Sequence, residues 1–193
     1  LAEYFADRPA KLRPHFKSHK CVTLARRQLA AGSAVGITCA KLSEAEALVA
    51  GGVVDVLIAN QVVSPAKARR LATLNRLATV RAAVDSPANV AELGAAAARR
   101  GVEIGVLLEV DLGMQRCGVP PGTPVLELAR RVAATPGLRL DGLQGYEGHL
   151  VTLPDVEERR RRTVEAMTEL VRCRQLLEAA GLPCPIVSGG GTG

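Results

Sequence analysis

Val54-Asp-Val-Leu-Ile-Ala-Asn60 and Ile104-Gly-Val-Leu-Leu-Glu-Val-Asp111 decide the fold. Each is a short, nearly continuous apolar run that ends on a polar residue. Strands of that texture are buried on both faces, as in parallel sheets covered by helices. They predict strands over Val54–Asn60 and Glu103–Asp111. Outward from them, Leu12–Ser18, Ala34–Ala40, Thr79–Asp85, Leu140–Gly148 and Cys184–Ser188 also read as strands. Helical patterns lie between. Ser43-Glu-Ala-Glu-Ala-Leu-Val-Ala50 begins with a capping residue and stops at Gly51-Gly52. Ser64-Pro, Ser86-Pro and Thr123-Pro each place a hydroxyl residue at an N-cap and proline at the first helical position. Leu153-Pro-Asp-Val-Glu-Glu158 opens the longest helix with acids at its positive end.

About seven strand–helix units result, at the spacing of an α/β TIM-type (β/α)8 barrel. A doubly wound sheet is the runner-up. The barrel is preferred because polar residues recur where strands end: Lys17, Thr38, Asn60, Asp85, Asp111, Tyr146 and Ser188. In addition, no Gly-x-Gly-x-x-Gly follows the first strand. Residues 1–193 are expected to form one incomplete barrel domain. An eighth strand is needed for closure, the chain starts at Leu, and it stops inside a glycine-rich loop. It therefore reads as a fragment of a longer protein, with two open sheet edges that favour aggregation when it stands alone.

Composition narrows the function. The chain is 48% apolar but only 2% aromatic, so the core should be aliphatic. The net charge of +6 comes from arginines spread along helices, without the motif or stacking aromatics of a nucleic-acid binder. The run Arg159–Arg162 follows Glu157 and Glu158 and reads as a solvated helix face. No apolar run approaches the ~20 residues of a membrane helix, and Leu1-Ala-Glu-Tyr-Phe-Ala-Asp-Arg8 is an amphipathic start, not a signal peptide. Five scattered cysteines without a Cys-x-x-Cys fit reduced thiols in a cytoplasm. A cytoplasmic protein with no nucleic-acid or membrane partner is expected.

The chemistry gathers at strand ends. On a strand, alternation would put Arg13, His15 and Lys17 on one face, with Lys17 at the C-terminal end where barrel active sites assemble. A partly desolvated lysine there can form an imine with an aldehyde cofactor. It can equally snorkel or pair with a carboxylate, and position does not choose between these. His15 and His19 would lie roughly 13 Å apart on a strand at ~3.3 Å per residue, too far to share an ion. In Asp111-Leu-Gly-Met-Gln-Arg-Cys-Gly118, Gly113 and Gly118 would let the loop approach a ligand and Arg116 would be its donor; the alternative is a surface arginine in a turn. Tyr146 and His149 could bond or stack on a planar ring, or be plain structure. In Val187-Ser-Gly-Gly-Gly-Thr-Gly193, successive backbone N–H groups with Ser188 and Thr192 could cradle a phosphate. No lysine follows in P-loop register, and a flexible turn is the competing reading.

Taken in order along essentially the whole chain, six motifs resemble the fold-type III pyridoxal-phosphate enzymes. They are Arg13-Pro-His-Phe-Lys-Ser-His-Lys20, Gly36-Ile-Thr-Cys-Ala-Lys-Leu-Ser-Glu-Ala-Glu46, Leu57-Ile-Ala-Asn-Gln-Val-Val63, Asp111-x-Gly-x-x-Arg-Cys-Gly-Val119, Gly145-Tyr-Glu-Gly-His149 and Ser188-Gly-Gly-Gly-Thr192. The likeness is to the D-threonine aldolase and D-serine dehydratase group, related to the alanine racemase barrel. The resemblance implies that Lys17 is the catalytic Schiff-base lysine, with Lys20 its nearest rival. It implies that Arg116 reaches pyridoxal 5'-phosphate, that Tyr146 lies near its ring, and that Ser188, Gly190, Gly191 and Thr192 hold the phosphate. His15 joins the cofactor set with its role open, as are the roles of Gln61 and His149.

The same resemblance implies a C-terminal β-domain carrying a divalent metal (Mn, Zn or Mg), with ligands outside this chain, and a homodimer as the full-length protein. The activity it implies is a lyase acting on a small β-hydroxy-D-amino acid, by retro-aldol cleavage to glycine and an aldehyde. A D-serine dehydratase, an amino-acid racemase and a non-catalytic pyridoxal-phosphate carrier are the alternatives, with a metal-free sugar-phosphate barrel enzyme behind them.

Overall fold

A computed structural model describes residues 1–191. Six parallel strands lie side by side in chain order: β1 Ile37–Cys39, β2 Asp55–Gln61, β3 Thr79–Val84, β4 Ile104–Val110, β5 Leu138–Gly145 and β6 Ile186–Ser188. Around them run seven helices among the described residues. These are α1 Ala2–Ala6, α2 Val22–Ala30, α3 Leu42–Ala50, α4 Pro65–Leu74, α5 Pro87–Arg100, α6 Thr123–Ala133 and α7 Val156–Ala179. The strand–helix alternation expected of a TIM-type barrel is present, as a curved run of parallel strands.

The pleat sorts the strand residues. Val56 and Ile58, Val80, Ala82 and Val84, and Ile104, Val106 and Leu108 face the helices, where they pack with Leu71, Leu93, Val125 and Leu177 in one aliphatic core. Fully burying each such side chain stabilises the fold by roughly 1.5–3 kcal/mol. Their neighbours Leu57, Ala83 and Leu107 are buried on the opposite face, inside the sheet's curve. All five cysteines are free. Burial pushes Cys39 up to about 12 and Cys184 up to about 11, so neither is a ready nucleophile.

The inner face has an ion-paired floor at the N-terminal ends of the strands. Arg13 pairs with Asp55, which also takes Arg81 Nη1 at 2.9 Å. Arg81 Nε reaches Asp141 at 2.6 Å, Arg139 Nε reaches Asp141 at 2.6 Å, and Arg139 pairs with Glu103. Gly36 and Gly105 make room for it, since a Cβ at either would run into Asp55 or Asp141.

Several expected boundaries move. The strand expected over Leu12–Ser18 is reduced to two bridges, Leu12 to Ala34 and His15 to Thr38, followed by a 3-10 turn over Phe16–Ser18. Pro14 has no N–H for a ladder, and the His15 imidazole takes the Lys17 N–H that would continue one. β6 begins at Ile186, not Cys184, because Pro183 and Pro185 flank that cysteine without N–H groups. α3 starts at Leu42 with Lys41 as N-cap; Ser43 is inside it, and Glu44 does the capping work by accepting from the Ala40 N–H at 2.8 Å. α6 starts at Thr123 itself, with Gly122 at the N-cap in a left-handed conformation (φ 90°). Ser86 caps as expected, accepting from the Asn89 N–H, and Asp155, one of the acids expected at the start of the longest helix, proves to be its N-cap, accepting from the Glu158 N–H. Ser64 stands at its N-cap without using its hydroxyl; its N–H donates to Glu92 at 3.0 Å. Among the described residues no helix is long and apolar enough to cross a membrane.

Candidate active site

Lys17 sits on the 3-10 turn just beyond the bridge between His15 and Thr38, exposed at the C-terminal end of the strands. The face shared by Arg13, His15 and Lys17 does not exist, because alternation stops at the turn. Arg13 serves the floor and Lys17 the mouth. Phe16 anchors the turn at 3% exposure and meets the His19 ring edge-on, centroids 5.5 Å apart. His15 Nδ1 accepts the Lys17 backbone N–H at 3.2 Å. The neutral ring then carries its proton on Nε2. Burial holds His15 below the usual histidine range, Lys17 pushes the same way, and Glu44 opposes them. His19 is turned away. Its Nδ1 accepts the Cys21 N–H at 3.1 Å and its Nε2 lies 3.3 Å from Gln28 Oε1 on α2. Lys20 stands exposed in the left-handed region (φ 50°) and gives its N–H to Phe16.

The Tyr146 ring is where separate segments converge. Lys17 Nζ lies 6.0 Å from its centroid and Arg116 Cζ 5.5 Å. Two cations on one aromatic ring attract its π face and repel each other. Among the described residues neither is salt-bridged, so their combined field invites an anion.

Arg116 is carried by a loop closed on itself. Asp111 Oδ1 accepts from the Gly113 and Gln115 N–H groups, both at 3.0 Å, and Asp85 accepts from the Gly118 N–H at 3.0 Å. Val119 pairs back to Glu109 and Asp111. The two glycines let this loop close on itself. A Cβ at Gly118 (φ 101°) would sit 2.7 Å from the Asp111 nitrogen, and one at Gly113 would press on His149 Nε2 at 3.3 Å.

The glycine-rich loop after β6 passes close to the same ring. A Cβ at Gly191 would lie 3.3 Å from Tyr146 Cε2. Ser188 pairs in register with Gln144, and Gly190 (φ 95°) faces open space. The Gly191 N–H is not a free donor, because it gives its hydrogen bond to Glu147 at 3.1 Å. Thr192 lies outside the described residues.

Sequence reading missed three side chains at this end: Glu109, Gln144 and Glu147, all buried. The signal for Glu109 was its parity with Leu107 inside an otherwise apolar strand. Its carboxylate accepts from Gln144 Nε2 at 2.8 Å and from the Cys117 thiol at 3.7 Å. Burial pushes it up to about 6, against the pull of Gln144, Arg116 and Cys117 and with some help from Asp85. Four buried polar atoms near the strands' C-terminal ends have no partner: Gln61 Nε2, Gln144 Oε1, Glu147 Oε2 and His149 Nδ1. Each unsatisfied group of this kind costs roughly 1–3 kcal/mol, and such costs concentrate at functional sites. The donor set at the mouth therefore suits a planar, anionic aldehyde: an amine at Lys17, a guanidinium at Arg116, an aromatic face, the Ser188 hydroxyl and open backbone at Gly190. No group of three or more His, Cys, Asp or Glu among the described residues is placed to hold a metal ion.

Comparison with known proteins gives concordant results. The family model described as alanine racemase, N-terminal domain, matches residues 1–193. The D-threonine aldolase of Arthrobacter sp. is 43% identical over 98% of this chain and 50% of its own length. The 3-hydroxy-D-aspartate aldolase of Paracoccus denitrificans (strain Pd 1222) is 41% identical over 100% of this chain and 50% of its own. The crystal structure of D-threonine aldolase from Filomicrobium marinum superposes with a TM-score of 0.96 at 41% identity, covering 100% of this chain and 52% of that one. The chain thus spans about half the length of the curated relatives it matches.

Proposed function

Since the chain belongs to the alanine racemase N-terminal domain family, we propose that residues 1–193 are the pyridoxal-phosphate-binding barrel domain of a lyase that cleaves β-hydroxy-D-amino acids to glycine and an aldehyde. The observation that carries this reading is the bracketing of Tyr146 by Lys17 Nζ and Arg116. The aldolase relatives give the reaction class its support. Pyridoxal phosphate would supply an aldehyde for a lysine amine and a ring that takes up electrons released at the substrate's Cα.

The chain's own residues would do the following. Lys17 offers the amine, on a turn aimed by the His15 imidazole. Arg116 places a guanidinium against the bound anion. Tyr146 flanks the ring and shields the site from water. Ser188, the Gly190 backbone and Thr192 donate to the phosphate, while Gly191 lets the loop pass close to Tyr146. A divalent metal (Mn, Zn or Mg) would take its ligands from outside this chain, since among the described residues no group of three or more His, Cys, Asp or Glu is placed to hold one.

Full-length protein loaded with pyridoxal phosphate tests the reading. A visible absorbance band should appear, borohydride should fix the cofactor onto Lys17, and Lys17→Ala should abolish both. A band that survives Lys17→Ala sinks the proposal. Incubation with D-threonine should release glycine and an aldehyde; release of ammonia would mark a dehydratase.

A further inference from the structure

Glu109 differs from the other buried acids among the described residues. Asp141 is neutralised by Arg81 and Arg139, Glu44 accepts from the Ala40 N–H, and Glu147 accepts from the Gly191 N–H. Glu109, 3% exposed, has neither an ion pair nor a backbone donor. Its oxygens are held by a neutral amide, Gln144, and a thiol, Cys117. Cys117 adjoins Arg116 in the chain, and Glu109, Cys117, Arg116 and Tyr146 line one small cleft.

Resting on the reading of Arg116 and Tyr146 as cofactor contacts, we propose that Glu109 is a positioning residue. From beneath the mouth it holds the loop of residues 111–118 through the Cys117 thiol and draws the Arg116 guanidinium toward the cleft shared with Tyr146. Glu109 acts through Arg116 and touches no reacting atom. The groups facing it are Gln144 from β5, Asp85 from the end of β3, and Arg116 and Cys117 from the loop, with Asp111 at the cleft's edge. Burial and Asp85 disfavour its charge; Gln144, Arg116 and Cys117 favour it. The balance lies at about 6, so the pull on Arg116 is present above that pH and fades below it.

The test uses full-length protein with pyridoxal phosphate as the probe. Equilibrium affinity is measured between pH 5 and 8 for the unmutated protein, Glu109→Gln, Arg116→Ala and the double variant. The quantity read is the ratio of affinities between unmutated protein and Glu109→Gln, in which the cofactor's own ionisation cancels. That ratio should be near one at pH 5 and about tenfold above pH 7, the scale of one pKa unit. Glu109→Gln should add nothing to Arg116→Ala. Its thermal midpoint at pH 7.5 should rise, whereas a merely structural glutamate would lower it. A ratio independent of pH, or an equal loss in the Arg116→Ala background, overturns the proposal. Should Glu109→Gln fail to fold, Glu109→Asp carries the test: a deficit that grows through pH 6 supports the proposal and a constant one overturns it. If the unmutated protein shows no Lys17-dependent affinity, the parent reading has failed and this one falls with it.

Discussion

The Glu109 carboxyl has an ordinary value of 4.5 and is raised to about 6 in the folded chain. Its contribution to stability is therefore fully present below 4.5 and is lost as pH rises through 6. The difference corresponds to about 2 kcal/mol at 1.36 kcal/mol per unit. Glu109→Gln should accordingly be about 2 kcal/mol more stable than the unmutated protein at pH 7.5 and no more stable at pH 4, read by urea unfolding. His15 carries the opposite sign. Its value is lowered, so the neutral ring that accepts the Lys17 N–H is fully favoured above pH 6.5 and lost as pH falls through the folded value. His15→Leu should cost about 1 kcal/mol and His15→Asn, which can accept the same N–H, less. The location of Lys17 was legible in the sequence, but its orientation was not. Parity assumes an unbroken ladder, and Pro14 and the His15 ring break it. The destination of Arg13 was hidden for another reason: Asp55 lies 42 residues away.

Strand texture was the most readable property of the elements, because β2 and β4 are buried on both faces and carry an apolar pattern that admits little else. Ends were less readable. Thr123 and Ser43 have cap chemistry one or two residues inside helices that Gly122 and Lys41 begin. The β5–β6 contact was not readable. Gly142 has φ 145°, and a Cβ there would enter the backbone of Ile186. Gly142→Ala should part β6 from β5 and cost at least about 3 kcal/mol in chemical denaturation. The floor was equally opaque, since Arg81 finds its acids 26 and 60 residues away. Arg81→Ala would remove the guanidinium that bridges Asp55 and Asp141, leaving Asp55 with Arg13 alone and Asp141 with Arg139 alone. A loss of about 3 kcal/mol is expected, measured as a lower urea midpoint with an unchanged slope.

Over the whole molecule, order should follow burial. α1 buries no residue, whereas every residue of β4 is buried. Amide exchange should be fastest over Ala2–Ala6 and slowest in β3 and β4; equal protection in both places would contradict this packing. The sequential strand order also bears on synthesis. Each strand lies beside its predecessor in the chain, so a chain leaving the ribosome can dock one unit upon the last without waiting for a distant partner. The floor is the exception. Arg13, Asp55 and Arg81 emerge early, but Asp141 comes 60 residues after Arg81. Until it arrives, two guanidinium groups share one carboxylate in a half-built interior. The fifth strand therefore completes the floor's charge balance, because it brings Asp141 to Arg81.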